Sequence, residues 1–286
     1  VGAVKYYKWK FEAYQGTYIL SNFRDILPRY LFQVLNAKLK ETVSAQKLGN
    51  TMPYIKLWML TDFEIPLPPL EIQEQIVVEL DGYQRIIDGA RTVVENYKPN
   101  FKIDPEWEMV ELGKIAKIIN GKAYKQEELL AEWKYPVLRV WNFFSNRGWY
   151  YSDLELDTDK YCDNWDLLYA WSASFWPRIW KWWKTIYHYH IWKIIPTEVI
   201  DKVFLSLILE KETENLKAEW WRWIAMMHLT KENFERKKIP LPSLEIQQSI
   251  VERIEEEQRL VDANRKLIEI YEGKIREKMD EVWGVE

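Results

Sequence analysis

His188 and His190, two positions apart, are the residues of this chain whose types most directly suggest metal chemistry. On a β-strand their side chains would share one face, and imidazole nitrogen is a common ligand of Zn²⁺. The third histidine, His228, and the single cysteine, Cys162, do not stand at a spacing that completes a recognisable ligand set. The sequence therefore predicts no metal site.

Catalytic motifs are also missing from the sequence. It has no glycine-rich phosphate or AdoMet loop, no adenine-methylase motif of the Asn-Pro-Pro-Tyr type, and no nucleophile, base and carboxylate at a recognisable spacing. Cys162 lies in the acidic segment DTDKYCDNWD, which disfavours a thiolate. No apolar run of about 18 residues could span a membrane. We expect a cytoplasmic protein with no catalytic residue, no cofactor and no membrane partner.

The net charge of -4 is distributed unevenly. Residues 1–60 carry nine Lys and Arg against three Asp and Glu, whereas residues 70–98 carry three against six and residues 243–286 carry seven against twelve. Residues 171–193 contain Lys and Arg but no acid. A charge run is most often a solvated face, but basic surfaces separated by acidic segments are also typical of a protein that meets a polyanion locally.

Basic side chains interleaved with polar and aromatic ones suit phosphate anchoring with some hydrogen bonds to base edges. For each aromatic residue the alternative is a place in the core of a strand pair. The candidate DNA-binding residues are Lys8, Lys10, Gln15, Gln46, Lys47, Asn50, Lys122, Tyr124, Lys125, Asn142, Ser145, Asn146, Arg147, Trp171, Ser172, Ser174, Arg178, Lys181, Lys184, Tyr187 and His188.

A repeated segment organises the chain around these candidates. IPLPPLEIQEQIV begins at Ile65, and IPLPSLEIQQSIV begins 174 positions later at Ile239. The prolines hold the backbone extended and suit a first helical turn, so we expect a helix from about residue 70 to 98. The second helix is expected from the N-cap Ser243 to about Val282.

Both helices carry an apolar heptad pattern, which favours packing against another helix. At 1.5 Å per residue they are roughly 44 and 60 Å long, and their simplest arrangement is antiparallel, against each other. The expected seam residues are Leu80, Ile87, Val94, Ile254, Val261, Ile268 and Ile275.

Each helix follows a region with short strand-like runs and a helix. The complete copy spans residues 106–238, and residues 1–64 repeat only its later part at the same offset of 174. We therefore expect a partial first domain (1–64), a helix and linker (65–105), a complete second domain (106–238) and a second helix (239–286). The first domain is expected to be truncated, or the chain to be a fragment of a longer protein.

This organisation closely resembles the DNA-specificity subunits (HsdS) of type I restriction-modification systems over essentially all 286 residues. The resemblance is carried by the two IPLP segments, by WEMVELGKIAKIINGKAY at the start of the second domain, and by DLLYAWSASF and YHYHIWKI within it. It implies an α+β fold in which two α/β target-recognition domains, the first one partial, are joined by two long antiparallel coiled-coil helices.

The resemblance also implies a function without catalysis. Each recognition domain would read half of a split site in double-stranded DNA, the helices would dock methyltransferase (M) subunits, and restriction (R) subunits would join them. The target adenine would be flipped into the partner's pocket. Two alternatives stay open, namely an interaction protein whose helices only dimerise, and the specificity part of a fused methyltransferase.

The tryptophan content is unusual. The chain has 17 Trp and 10 Gly, whereas an average composition of about 7% glycine would give about 20. Either these residues form a real aromatic surface or they replace glycine, and we favour replacement. The tryptophans in contexts typical of glycine are Trp9, Trp141, Trp165, Trp176, Trp182, Trp183, Trp220, Trp221 and Trp223.

Overall fold

The computed structural model describes residues 3–45, 55–132, 134–172, 174–218 and 229–284, without the side chains of 40–45 and 216–218. The chain forms two compact units. The first comprises Val1–Lys98 and Gln258–Glu286, and the second comprises Pro99–Glu257. Among the described residues, no helix is both long enough and apolar enough to cross a membrane. The four domain boundaries expected from the sequence stay predictions.

The second unit contains three sheets. A two-stranded sheet pairs β1 (Glu108–Glu111) with β10 (Lys238–Leu241). An antiparallel sheet has the order β2 (Ala116–Asn120), β9 (Ile191–Pro196), β6 (Leu167–Ala170) and β7 (Trp176–Ile179). A mixed sheet has the order β4 (Tyr150–Ser152), β3 (Tyr135–Leu138), β8 (Thr185–Tyr187) and β5 (Tyr161–Cys162), in which β3 and β8 are parallel.

Four helices accompany these sheets in the described part of the second unit: α4 (Leu112–Ile115), α5 (Val140–Ser145), α6 (Lys202–Ala218) and α7 (Lys231–Glu235). Turns of 3₁₀ helix lie at Gln126–Glu128 and Thr158–Lys160. The segment TIYHYHIWKII, which the sequence suggests is one strand-like run, is divided into β8 and β9 by a turn.

Strand β6 explains how the core of this unit is layered. All four of its residues, LLYA, are buried, and successive side chains of a strand point to opposite faces. Leu167 and Tyr169 join the core under α6, whereas Leu168 and Ala170 join a second core with residues of the mixed sheet. A strand that is buried on both faces reads as a continuous apolar run, which is why alternation is missing from its sequence.

The first unit is built from helices α1 (Pro28–Ala45), α2 (Leu57–Thr61), α3 (Leu70–Asn96) and the later part of α8 (Leu244–Trp283). Its largest core contains Tyr30, Val34, Ile76, Leu80 and Met279. Fully burying such a side chain contributes roughly 1.5–3 kcal/mol. The core therefore fastens α1 to both long helices.

Helices α3 and α8 run antiparallel in this unit. Lys278 Nζ lies 3.2 Å from Glu79 Oε2, and the rings of Tyr83 and Tyr271 meet with centroids 5.4 Å apart. Between these two contacts the position in α3 rises from 79 to 83 while the position in α8 falls from 278 to 271, which shows that the helices run in opposite directions. Of the expected seam, Leu80, Ile87, Ile254 and Val261 are buried, whereas Val94, Ile268 and Ile275 are half-buried.

Residues 3–25 contain no helix or strand, and most of their side chains are exposed. The segment 174 positions later forms β7, β8 and β9. Of those strands, β7 pairs with β6, β9 pairs with β2 and β6, and β8 pairs with β3 and β5. The two copies therefore differ in structure over this part of the repeat.

The two IPLP segments lead into α3 and α8 through the same buried contact. Gln73 is fully buried, its Oε1 accepts from Leu27 N at 2.8 Å, and its Nε2 donates to Asp25 O and Pro68 O. The carboxamide thus joins three backbone groups. It fixes where the chain turns into α3.

Candidate nucleic-acid interface

Three loops of the second unit meet at one place on its surface. Lys122, which follows β2, donates its N–H to Tyr187 O at 3.0 Å and accepts from Tyr189 N at 3.0 Å. Trp171, which follows β6, donates its N–H to His190 O at 3.0 Å. These backbone bonds hold the loops together independently of their side chains.

The turn between β8 and β9 is also fastened to β3, since His188 N donates to Leu138 O at 2.8 Å. This brings Arg139, the residue after β3, to the same place. We call the resulting group the three-loop surface, and it consists of Lys122, Tyr124, Arg139, Trp171, His188, Tyr189 and His190.

Gly121 permits this meeting of loops. A Cβ at this position would lie 2.3 Å from Tyr187 O and 2.4 Å from His188 O. Both atoms belong to the backbone, so they could move aside only if the β8–β9 turn moved as well. Glycine is required here for close approach of two chain segments.

Aromatic contacts support the three-loop surface from beneath. The Trp171 ring stacks on Trp192 with centroids 5.3 Å apart, and its Nε1 donates to Tyr189 O at 2.7 Å. His190 meets the edge of Trp171 at 5.2 Å, and His188 stacks on Tyr124 at 6.2 Å. Trp171 is therefore a half-buried platform whose only N–H donor is already used.

The histidines of the three-loop surface are neutral at physiological pH. Burial, with smaller effects from His190 and Arg139, lowers the pKa of His188 from 6.5 to about 4. Burial and Arg139 also lower the pKa of His190. A neutral imidazole carries one donor and one acceptor nitrogen, so each ring can hydrogen-bond to a base edge without adding charge.

Lys122 is the cation of this surface that has an acidic partner. Its Nζ lies 2.9 and 2.8 Å from the two carboxylate oxygens of Glu128. The hydrogen bond from Lys122 lowers the pKa of Glu128. Lys122 also lies 5.1 Å from the centre of the Tyr124 ring, so its position is fixed on two sides.

Three predicted DNA contacts are corrected by their surroundings. Tyr187 is fully buried and its hydroxyl donates to Asp159 O at 2.7 Å. Asn142 is buried, accepts from Arg139 N at 2.7 Å and donates to Val137 O at 2.9 Å. Both side chains fasten backbone inside the unit. We therefore leave them out of the proposed interface.

Arg178, the third correction, faces inward. Its guanidinium donates to Phe143 O and lies 5.3 Å from the Phe143 ring and 5.8 Å from that of Trp182. Burial lowers its pKa. The side chain is half-buried among aromatic rings and stabilises the second core.

Other predicted contacts of the second unit do lie at the surface. Asn146 ends α5 in the left-handed conformation, with a φ of 53°, and Lys184 lies over the Tyr161 ring at 4.4 Å. Ser145 and Ser172 are half-buried. The exposed residues are Lys125, Asn146, Arg147, Ser174, Lys181 and Lys184.

The predicted contacts of the first unit divide into two groups. Lys8, Lys10 and Gln15 are exposed in the irregular segment 3–25. Gln46, Lys47 and Asn50 lie outside the described residues.

Arg139 was not singled out from the sequence, and His190 was considered there only as a metal ligand. The sequence signal for Arg139 is weak, because this residue is a single basic side chain after the apolar run YPVL. In the part of the chain that the structure describes, no group of three His, Cys, Asp or Glu is placed to hold a metal ion. His188 and His190 lie in a turn, so the strand geometry expected for the pair does not occur.

Comparison with known proteins identifies the family. The family model for the type I restriction modification DNA specificity domain matches residues 1–95 and 105–270. The EcoDI specificity subunit of Escherichia coli is 29% identical over 93 residues, which are 32% of this chain and 20% of that protein. The MjaVIII specificity subunit of Methanocaldococcus jannaschii is 29% identical over 124 residues, covering 35% of this chain and 29% of that protein. The matches thus span less than a third of either relative.

One solved structure supports the fold. A chain from a structural study of complex assembly and conformational transition of the type I R-M system has a TM-score of 0.57 at 18% identity, covering 89% of this chain and 70% of that one. The HsdS subunit from Thermoanaerobacter tengcongensis has a TM-score of 0.49 at 18% identity, covering 89% and 69%. With an α+β fold and a family match over most of its length, the chain belongs to the type I restriction-modification DNA specificity family.

Proposed function

We propose that this chain is the non-catalytic DNA-reading part of a type I restriction-modification complex. The observation that supports it most directly is the three-loop surface, where cationic, neutral imidazole and aromatic groups meet in the second unit. The exposed residues Lys125 and Arg147 supply cations for phosphates. Base edges would be read by the side chains of the three-loop surface. The protein would act on duplex DNA in the cytoplasm, as the family match suggests.

A split recognition site follows from the repeat. The glutamine that opens each long helix makes corresponding bonds in the two units, so a globular region is joined to each helix in the same way. Each unit would read one half of the site.

The long helices are proposed to dock partner subunits. Four pairs of apolar side chains stay exposed at equivalent positions, 174 residues apart: Leu70 and Leu244, Ile72 and Ile246, Ile86 and Leu260, and Val93 and Leu267. An exposed apolar set of this kind suits protein contact. Its duplication fits two copies of one partner, the methyltransferase subunit that would hold S-adenosylmethionine and methylate adenine. Restriction subunits would join that assembly.

Equilibrium binding to duplex DNA at low and high salt, with the methyltransferase subunits present, tests the proposal. A phosphate contact removed by Lys125→Ala or Arg147→Ala should weaken binding and reduce the salt slope by about 1. Lys266→Ala, an exposed lysine on α8, is the matched control and should leave the slope unchanged. Binding that does not respond to salt would support an interaction protein that only dimerises.

A second assay addresses the fused-methyltransferase alternative. The chain is incubated alone with labelled S-adenosylmethionine and duplex DNA. We expect no transfer of label until methyltransferase subunits are added. Transfer by the chain alone would overturn the proposal that it is non-catalytic.

A further inference from the structure

Arg139 is a cation at the centre of the three-loop surface that no carboxylate neutralises. Within the described ranges it forms no ion pair, whereas Lys122 is held by Glu128. Besides burial, the charged or titratable groups that lower the pKa of His188 are His190 and Arg139. For His190 the corresponding group is Arg139. The surface therefore offers one unpaired guanidinium beside two uncharged imidazoles.

The position of Arg139 is fixed on both sides. Its backbone N–H donates to Asn142 Oδ1 at 2.7 Å, and its carbonyl accepts from Phe143 N at 2.9 Å, which places it at the start of α5. Its guanidinium lies over the Tyr150 ring at 5.5 Å. Stacking restricts the plane of the guanidinium, so less conformational freedom is lost when the group forms a two-pronged hydrogen bond.

We propose that Arg139 is a specificity-determining residue that donates two hydrogen bonds to O6 and N7 of a guanine in the half-site read by the second unit. This inference rests on the proposed function. A phosphate contact would suit an exposed cation such as Lys125 better than a half-buried one such as Arg139. Arginine to guanine is the commonest specific contact, because the fork of the guanidinium matches the two acceptors.

Selection from a randomised duplex library tests the assignment, using the chain assembled with its methyltransferase subunits. The wild type should return a consensus containing a guanine that Arg139→Lys no longer selects, with discrimination at that position reduced about 5- to 150-fold. Arg139→Gln should shift the same position towards adenine, which a carboxamide pairs with. Arg265→Lys, at an exposed position on α8, is the control and should keep the consensus.

The outcomes separate this inference from the function on which it rests. No consensus for the wild type would overturn the DNA-reading function itself. A wild-type consensus that both Arg139 variants retain would overturn only the role of Arg139. A uniform loss of affinity with a smaller salt slope would also overturn it, since that pattern marks a phosphate contact.

A separate inference comes from Trp165, which stands in a glycine-like turn. Asp166 N donates to Asp163 O at 3.1 Å, so Trp165 is the third residue of a four-residue turn, and its φ is 73°. Turns with a positive φ at this position normally use glycine or asparagine. A tryptophan there is strained by its Cβ, and its side chain is 46% exposed.

Three other tryptophans in contexts typical of glycine are also exposed. Trp9, Trp141 and Trp183 are 81%, 71% and 53% exposed. Trp180 and Trp192 are instead buried in the two cores of the second unit. Of the tryptophans in contexts typical of glycine, Trp9, Trp141, Trp165 and Trp183 are thus exposed and Trp176 and Trp182 are half-buried, whereas Trp220, Trp221 and Trp223 lie outside the described residues.

We infer that the codons for residues 9, 141, 165 and 183 are UGA, which the source organism translates as glycine. UGA is reassigned to tryptophan in some genetic codes and to glycine in others. If UGA codons that encode glycine are read as tryptophan, every one of those glycines appears as tryptophan in the printed sequence. Tryptophans encoded by UGG, such as Trp180 and Trp192, are the same under either reading. It explains the glycine deficit and the tryptophan excess by a single cause.

The gene and the native protein test this inference. UGA at codons 9, 141, 165 and 183, with UGG at 180 and 192, would support it, as would a native peptide whose mass shows glycine at 165. UGG at codon 165 or tryptophan in the native peptide would overturn it. As a structural counterpart, Trp165→Gly should raise the melting temperature of the chain, whereas the matched Trp192→Gly should lower it by many degrees.

Discussion

Gln73 and Gln247, 174 positions apart, make the same three hydrogen bonds to equivalent backbone groups. Gln247 Oε1 accepts from Asp201 N at 2.7 Å, and its Nε2 donates to Val199 O and Pro242 O. Both carboxamides are fully buried. The repeated IPLP segment is thus conserved within the chain as a fastening between a globular region and its long helix, and its glutamine is structural.

Replacing Gln247 by leucine should destabilise the second unit by roughly 2–4 kcal/mol, because similar volume is kept while one buried N–H and two carbonyls lose their partner. Urea unfolding measures this. Gln73→Leu should have a similar effect on the first unit. Gln248→Leu, at the exposed neighbour, is the control and should change the free energy of unfolding by less than about 0.5 kcal/mol. Equal losses for Gln247→Leu and Gln248→Leu would refute the fastening.

Gly121→Ala should destabilise the second unit by about 1–3 kcal/mol and weaken DNA binding, since the new Cβ must displace the backbone of the β8–β9 turn. Gly82→Ala is the matched control. Gly82 lies inside α3 with open space around it, so alanine should stabilise by about 0.5–1 kcal/mol. In thermal unfolding, the melting temperature should fall for Gly121→Ala and rise for Gly82→Ala. Duplex binding should weaken only for Gly121→Ala. An unaffected Gly121→Ala protein would mean that the loops do not need their close approach.

Acid should destabilise the second unit through His188. Its pKa is about 4 in the folded chain against an ordinary 6.5, so the unfolded chain binds the proton more tightly between these values. The stabilisation that comes from keeping the His188 imidazole neutral is fully present above about pH 6.5. It is lost as the pH falls towards 4. Melting temperatures at a series of pH values should show this loss. His188→Asn should make the curve flatter, and an unchanged slope would contradict the assignment.

Arg178→Lys should lower stability by about 1–2 kcal/mol and leave the salt dependence of DNA binding unchanged. A lysine keeps the charge but cannot reproduce the planar stacking among Phe143 and Trp182. Lys181→Ala, at a neighbouring exposed position, should change stability little and is the comparison for DNA binding. A reduced salt slope for Arg178→Lys without loss of stability would restore Arg178 to the interface.

The sequence predicted the positions of the long helices more accurately than the side chains available at the surface. Proline-led helix starts and heptads predict helices near residues 70–98 and 243–282, and the structure has them at Leu70–Asn96 and Leu244–Trp283. It could not tell which polar residues face inward. Asn142 stands in a polar, loop-like run and Tyr187 in a strand-like one, yet both side chains are buried and donate to backbone carbonyls 5 and 28 residues away.

By itself, the sequence determined the repeat, the two long helices and the family, because these depend on periodicity and on motifs that are local in the chain. Only the tertiary structure decided that Arg139 joins His188 and His190, that Gly121 has no room for a side chain, and that residues 3–25 lack strands while their repeat has them. These facts depend on pairing between segments far apart in sequence. Local pattern fixes an element, but its neighbours across the sheet decide which face meets solvent and which atoms remain free to bind DNA.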